Sequence, residues 1–275
     1  MTTERLLIPV DNVSLSVQVA GSGPPLLLVH AYPLCAELWD AQIREFASAY
    51  RVIAPDLRGF GASGVPLTAD AVPMERYADD LAAVLDRMGL AEPVRYVGVS
   101  MGGYIGWEFC RRHPGRVAAL AAVCTTPFAD DDAGRAKREA IAAAVLENAA
   151  ATTEALPKSL VGRSTRGERP EVLSKLRRWI DQTDPVAIAA AQRGMASRQS
   201  QSNWLAATDL PVLATAGEED TFVRSDVVRD WSATIRNGQF VEIAASGHLP
   251  MLEQPAEFNA TLRSFLETID GRGPA

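Results

Sequence analysis

Short apolar runs separated by longer amphipathic stretches alternate along most of this 275-residue chain. Two β-rich runs within residues 6–19, LLIPV and VSLSVQV, flank the turn pair Asp11-Asn12 and predict a hairpin at the start of a sheet. After the turn Ala20–Pro25, the run Leu26–Val29 is continuously apolar, as a strand covered on both faces must be. Leu38, Trp39, Ile43 and Phe46 recur at helical spacing and predict a helix over 36–48. Arg51–Ala54 reads as the next strand, followed by the glycine-rich loop Pro55–Ser63. A helix is expected over about 74–88, stopped by Gly89. The run PVRYVGVS then breaks at Ser100 and continues as helical YIGWEFCRRHPGR, with another strand at Val117–Cys124.

Repeated strand–helix alternation implies an α/β domain with a mostly parallel sheet and helices on both faces. The alternation lapses between 127 and 207, where AIAAAVLENAA, EVLSKLRRWIDQ and DPVAIAAAQRGMA are all helical in character. Such a stretch is too long for a loop and too organised for a linker, so it reads as an inserted helical cap. The domain expectation is a core over 1–126, a cap over 127–207, and a second core part over 208–275. In that last part come a strand at Pro211–Ala216, a helix around 224–236, a strand at 239–244 and a helix around 255–268. The tail Asp270–Ala275 is expected to fray.

Composition narrows the function classes. Hydrophobic residues make up 47% of the chain, enough for a substantial core, and the net charge of −7 argues against a broad nucleic-acid surface. No run reaches the length of a membrane span, and the N-terminal stretch lacks the basic start and apolar block of a signal peptide. Three cysteines, Cys35, Cys110 and Cys124, show no metal-like spacing and read as reduced thiols of a cytoplasmic protein. The oligomeric state is left open, a homodimer included.

The chemistry centres on Gly98-Val99-Ser100-Met101-Gly102, a G-x-S-x-G arrangement between a strand and a helix. Small neighbours leave room for a sharp turn that exposes the serine hydroxyl, and the helix start directs free N–H groups towards developing negative charge. A serine needs a base, and the chain offers three histidines. His113 ends a helix in RRHP and suits capping; His30 follows the buried strand and suits a structural hydrogen bond. His248, in the loop Ala244–Met251 after the last strand, is the favoured general base. The acid that orients it is expected in Gly217–Thr221, with Asp220 preferred over Glu218 and Glu219, and the cluster Asp130–Asp132 as a further alternative. Oxyanion donors are expected from the backbone N–H of Met101 and from the loop His30–Pro33, where Tyr32 is preferred, Ala31 is the alternative and Pro33 has no N–H to give.

The motifs HAYP (His30–Pro33) with Trp39 beyond, DLRGFGAS (Asp56–Ser63), GVSMGG (Gly98–Gly103), HPGRV (His113–Val117), GEED (Gly217–Asp220) and Gly247-His248 together resemble the α/β-hydrolase superfamily. Within it the chain is similar to small cytoplasmic carboxylesterases and 3-oxoadipate enol-lactonases, which share a V-S-M-G-G elbow and a G-H-x-x-x-x-E-x-P ending. The resemblance implies an eight-stranded, mostly parallel sheet with an inserted cap, Ser100 as nucleophile, Asp220 as acid, His248 as base, and Tyr32 and Met101 as oxyanion donors. It implies hydrolysis of a small-molecule ester or lactone through an acyl-enzyme, with no metal or organic cofactor required. A cofactor-free haloperoxidase or perhydrolase with the same triad, and a non-catalytic ligand-binding relative, are the competing readings. Ser100 argues against the branches with an aspartate nucleophile, the haloalkane dehalogenases and epoxide hydrolases. Ala31 departs from the family's usual glycine. Residues 127–207 carry 12 Lys/Arg against 10 Asp/Glu, and the rest 15 against 24. A relatively basic cap would suit a carboxylate-bearing substrate, although solvated helix faces give the same count. Met195, Trp204 and Leu249 are candidate pocket lining, with plain packing the competing reading.

Overall fold

Strand alternation is resolved into one eight-stranded sheet in the computed structural model, which describes residues 2–65, 68 and 70–271. Its strands are β1 (Glu4–Val10), β2 (Val13–Ala20), β3 (Pro25–Val29), β4 (Arg51–Pro55), β5 (Val94–Val99), β6 (Val117–Val123), β7 (Val212–Gly217) and β8 (Gly238–Ile243). They lie in the order β1-β2-β4-β3-β5-β6-β7-β8. β1 pairs antiparallel with β2, and β2 with β4; every later pairing is parallel. Asp11, at positive φ, makes the expected hairpin turn.

β3 shows why a continuous apolar run was required. Leu27 and Val29 point into a core layer shared with Tyr77, Leu81, Ile105 and Trp107, whereas Leu26 and Leu28 point into the opposite layer with Ile43, Phe258 and Leu262. A strand alternates its side chains between faces, and here both faces are roofed by helices. The first layer is supplied mainly by helices Met74–Arg87 and Met101–Arg112, the second by Asp40–Phe46 and Pro255–Ile269.

Between β6 and β7 the chain departs from the sheet into helices only: Asp132–Glu147, Ala149–Thr153, Leu156–Ser159, Arg163–Glu168, Pro170–Asp181, Pro185–Ala196 and Ser202–Ala207. This inserted helical region follows the sequence expectation, in more and shorter pieces. Three other elements differ from it. The helix expected over 36–48 is a 3₁₀ turn, Ala36–Trp39, followed by an α-helix at Asp40–Phe46. The helix around 224–236 covers only Ser225–Ser232, because tight turns from Trp231 and Ser232 lead straight to Gly238. Asp270 is also fixed, since its carboxylate accepts from the Tyr50 hydroxyl at 2.6 Å and from Arg95 Nε at 3.0 Å. Residues 272–275 of the expected frayed tail lie outside the described residues. All three cysteines are buried free thiols, and among the described residues no helix is long and apolar enough to cross a membrane.

Candidate active site

Parallel strands end at one edge of the sheet, so the loops after β3, β5, β6, β7 and β8 share that edge. Ser100 sits where β5 meets helix Met101–Arg112, with φ 54° and ψ −114°. A non-glycine residue at such angles is strained and is held by its surroundings. Its N–H donates to Val123 O at 2.9 Å, extending the β5–β6 ladder, and its carbonyl accepts from Tyr104 N at 3.2 Å and Thr125 Oγ1 at 2.9 Å. The flanking glycines are sterically obligatory. A Cβ on Gly98 would stand 2.3 Å from Gly102 O, and one on Gly102 would stand 2.3 Å from Val29 O. Tyr96 seals the turn by donating its hydroxyl to Gly102 O at 2.8 Å.

The same close approach brings the loop after β3 against the first turn of that helix, since a Cβ on Gly102 would also lie 3.0 Å from His30 O. Met101 is the first helical residue, so its N–H has no intrahelical acceptor. Ala31 is fully buried and is not among the described non-glycine residues with positive φ, namely Asp11, Ser100, Cys124 and Ala245. Alanine therefore fits where glycine was expected. Tyr32 packs edge-on against Phe60 and precedes Pro33 through a cis peptide bond, which the sequence did not disclose.

The histidines separate by their partners. His30 Nε2 accepts from Leu57 N at 2.9 Å, so its proton is on Nδ1, which donates to Ala31 O at 2.9 Å. Burial pushes its pKa below the ordinary value, and both nitrogens are committed to the backbone. His113 ends helix Met101–Arg112 and bonds Asp79 through Nε2 at 3.0 Å. His248 alone meets a strand-end acid: its Nδ1 lies 2.8 Å from Asp220 Oδ2. A carboxylate can only accept, so Nδ1 carries the proton and the Nε2 lone pair is left for proton transfer.

Asp220 is 8% exposed and its other oxygen accepts from Phe222 N at 2.8 Å and Val223 N at 3.2 Å. Burial alone would raise its pKa, but the neighbouring His248 and these two N–H groups outweigh that and hold the carboxyl below its ordinary value. The alternative acids are employed elsewhere. Glu218 accepts from Ala245 N, Glu219 from Ser164 and Arg163. Asp131 caps helix Asp132–Glu147, while Asp130 is held between Arg138 and Arg198. Cys124 lies beside the pair: among the described residues, its sulfur and the ligand atoms of Asp220 and His248 form the one cluster that could hold a metal, within 4.8 Å of one another. Burial, with Asp220 adjacent, pushes the thiol pKa well up, and His248 Nδ1 is already spent on Asp220, so the donor set is poorly prepared for an ion.

Of the candidate lining, Met195 and Leu249 are buried, and Trp204 packs on Trp107. Two residues at this edge were missed. Phe222, 52% exposed, has its ring 5.0 Å from that of His248, and Glu253 is buried beneath the histidine loop. Only the latter left a trace in the sequence, as the spacing from His248. Several arginines of the inserted helical region are paired within it, Arg138 and Arg198 with Asp130, Arg177 with Asp181 and Arg193 with Glu139, while Arg163 pairs with Glu219 outside it. These guanidiniums are therefore already engaged by carboxylates of the protein itself.

With this geometry in place, the family model for the alpha/beta hydrolase fold matches residues 24–255, most of the chain. The protein belongs to the alpha/beta hydrolase family. As a member of that family it is similar to a solved thermophilic esterase from Thermogutta terrifontis, at 33% identity and a TM-score of 0.91, covering 98% of this chain and 99% of the esterase. It is also similar to the solved structure of Est816, described as an N-acyl homoserine lactone degrading enzyme, at 27% identity and a TM-score of 0.83, covering 94% and 100% of the two chains. Epoxide hydrolase 2 of Siraitia grosvenorii is 36% identical over 118 residues, 42% of this hydrolase-fold chain and 37% of that protein. Against that relative the chain spans little more than a third of its length.

Proposed function

We propose that this alpha/beta hydrolase cleaves a carboxylic ester or lactone through an acyl-enzyme on Ser100. The observation that carries the reading is the buried His248–Asp220 bond of 2.8 Å at the sheet edge that also presents the strained Ser100. Full-length similarity to an esterase and to a lactone-degrading enzyme supports the substrate class.

In this reading His248 Nε2 removes the Ser100 proton as Oγ attacks the carbonyl carbon. The oxyanion is stabilised by the backbone N–H groups of Met101 and Tyr32. Imidazolium, stabilised by ionised Asp220, then protonates the leaving alkoxide. Water, deprotonated by the same histidine, attacks the acyl-enzyme and releases the carboxylic acid and free Ser100. An epoxide has no carbonyl to form a tetrahedral oxyanion intermediate, and attack by a serine would leave an ether that water cannot readily cleave. That chemistry favours esters and lactones over the substrate class of the partial epoxide-hydrolase relative. Residues 127–207 act as the cap over a core formed by 1–126 and 208–275.

The test is a hydrolysis panel of short p-nitrophenyl esters, aliphatic lactones and 3-oxoadipate enol-lactone, with Ser100→Ala alongside. Turnover of at least one ester or lactone, abolished in the variant, is expected; equal activity in the variant refutes the nucleophile.

A further inference from the structure

Glu253 lies five residues beyond His248, at the end of the short helix Pro250–Glu253, and is 1% exposed. Its carboxylate has four donors and each oxygen serves a different part of the chain. Oε1 accepts from Gly247 N and Leu249 N, both at 3.0 Å, which are the residues on either side of His248. Oε2 accepts from Gly162 N and Thr165 Oγ1, both at 2.8 Å, in the inserted helical region. The fit is tight, because a Cβ on Gly247 would stand 2.2 Å from Gly162 N. His248 N itself donates to Leu160 O at 3.2 Å, and Arg169 Nη1 donates to Glu253 O at 2.7 Å. The same inserted segment is held from the acid loop, where Glu219 accepts from Ser164 N at 2.9 Å and Ser164 Oγ at 2.7 Å.

We propose that Glu253 is a positioning residue for His248, fixing the base loop by its two flanking N–H groups and locking it to residues 160–165 of the inserted region. The inference rests on the reading of His248 as general base. A peptide on each side of the histidine is tied to one buried carboxylate, so the ring is aimed from its own backbone while Asp220 orients it from Nδ1. Four donors converge on that carboxylate, and any neutral replacement leaves some of them unmatched. Removing the side chain leaves all four without acceptors; an amide retains one accepting oxygen and can satisfy one pair.

The test compares Glu253→Ala, Glu253→Gln and Thr165→Val by steady-state kinetics on a p-nitrophenyl ester, thermal unfolding, and the downfield proton resonance of His248 Nδ1–H. In folded Glu253→Ala, kcat should fall about 100-fold with KM within about twofold, as expected of a misaligned reacting group. Glu253→Gln should recover part of that loss, and Thr165→Val, which removes a single cap-side donor, should lose the least. The histidine resonance should shift or broaden in the same order. Should the alanine variant fail to fold, the glutamine and valine variants decide by the same readings. Wild-type kcat and an unmoved resonance in folded variants overturn the proposal, even if thermal stability falls. Ser100→Ala, run in parallel, separates this from the nucleophile reading: activity in that variant removes the nucleophile, while the resonance still decides whether Glu253 positions the histidine.

Discussion

Asp220 divides its carboxylate between His248 and its own loop: Oδ2 faces His248 Nδ1 at 2.8 Å, and Oδ1 accepts from Phe222 and Val223 N–H. The loop bonds fix the carboxylate independently of the histidine, so the imidazole is oriented against a rigid partner. Asp220→Asn keeps the shape but can present an amide N–H to Nδ1, favouring the wrong tautomer. Activity should fall roughly 10³–10⁴-fold with little change in fold. Steady-state kinetics with circular dichroism measure both; a loss below tenfold would deny Asp220 its role.

Gly102 carries the geometry of the turn. Its nearest contact is backbone, Val29 O, which cannot rotate away as a side-chain tip could. Gly102→Ala should therefore destabilise the fold by about 2 kcal/mol or more and lower activity by moving the helix start. Urea unfolding measures the first; a change under about 0.5 kcal/mol, the scale of a neutral surface substitution, would contradict the packing argument.

Asp130 provides a pH test within the inserted region. Arg198 bonds it twice, at 2.7 Å each, and Arg138 adds a third contact. Burial opposes its ionisation, but the Arg198 and Arg138 guanidiniums prevail and hold its pKa below the ordinary 3.8. A lowered folded pKa means that its contribution is complete above the unfolded value and is lost as pH falls through the folded one. Asp130→Asn should cost ~1–2 kcal/mol at neutral pH, partial exposure limiting the figure. The difference from wild type should stay constant down to about pH 5 and narrow below it. Urea unfolding across that range checks the sign; a difference that widens in acid would reverse it.

The fold and the site differed in how much of them could be read from the sequence. β3 was legible because a strand buried on both faces has one signature, and the turn at Ser100 because glycines flank a serine between a strand and a helix. Residues 36–48 misled because one turn of 3₁₀ and about two of α-helix space Leu38, Trp39 and Ile43 almost alike. The short helices at 149–153, 156–159, 163–168 and 202–207 are each under two turns and leave no full period to detect. Glu253 shows the other limit. Its spacing from His248 was visible, but its value lies in donors 88 and 91 residues away, which only the folded chain brings together.

Arg58, in the loop after β4, offers a check on the packing of that loop against helix Met74–Arg87. Asp80, 1% exposed, accepts from Arg58 Nε and Nη2 at 2.7 Å each and from Arg76 Nε at 3.1 Å. Arg58→Ala strips two of these bonds and leaves a buried carboxylate underpaired, at a cost of about 3 kcal/mol. Arg58→Ala with Asp80→Ala should cost less than the sum of the single variants, which a double-mutant cycle by denaturant unfolding measures. Simple additivity would show that the pair is not coupled.

The central claim is that Ser100 is an activated nucleophile, and covalent capture tests it most directly. The protein is treated with a p-nitrophenyl alkylphosphonate, its intact mass is recorded, and the modified peptide is sequenced by mass spectrometry. The account predicts one phosphonyl group per chain on Ser100, lost in Ser100→Ala and strongly slowed in His248→Ala. A chain that stays unmodified, or carries the group elsewhere while Ser100 is untouched, contradicts it.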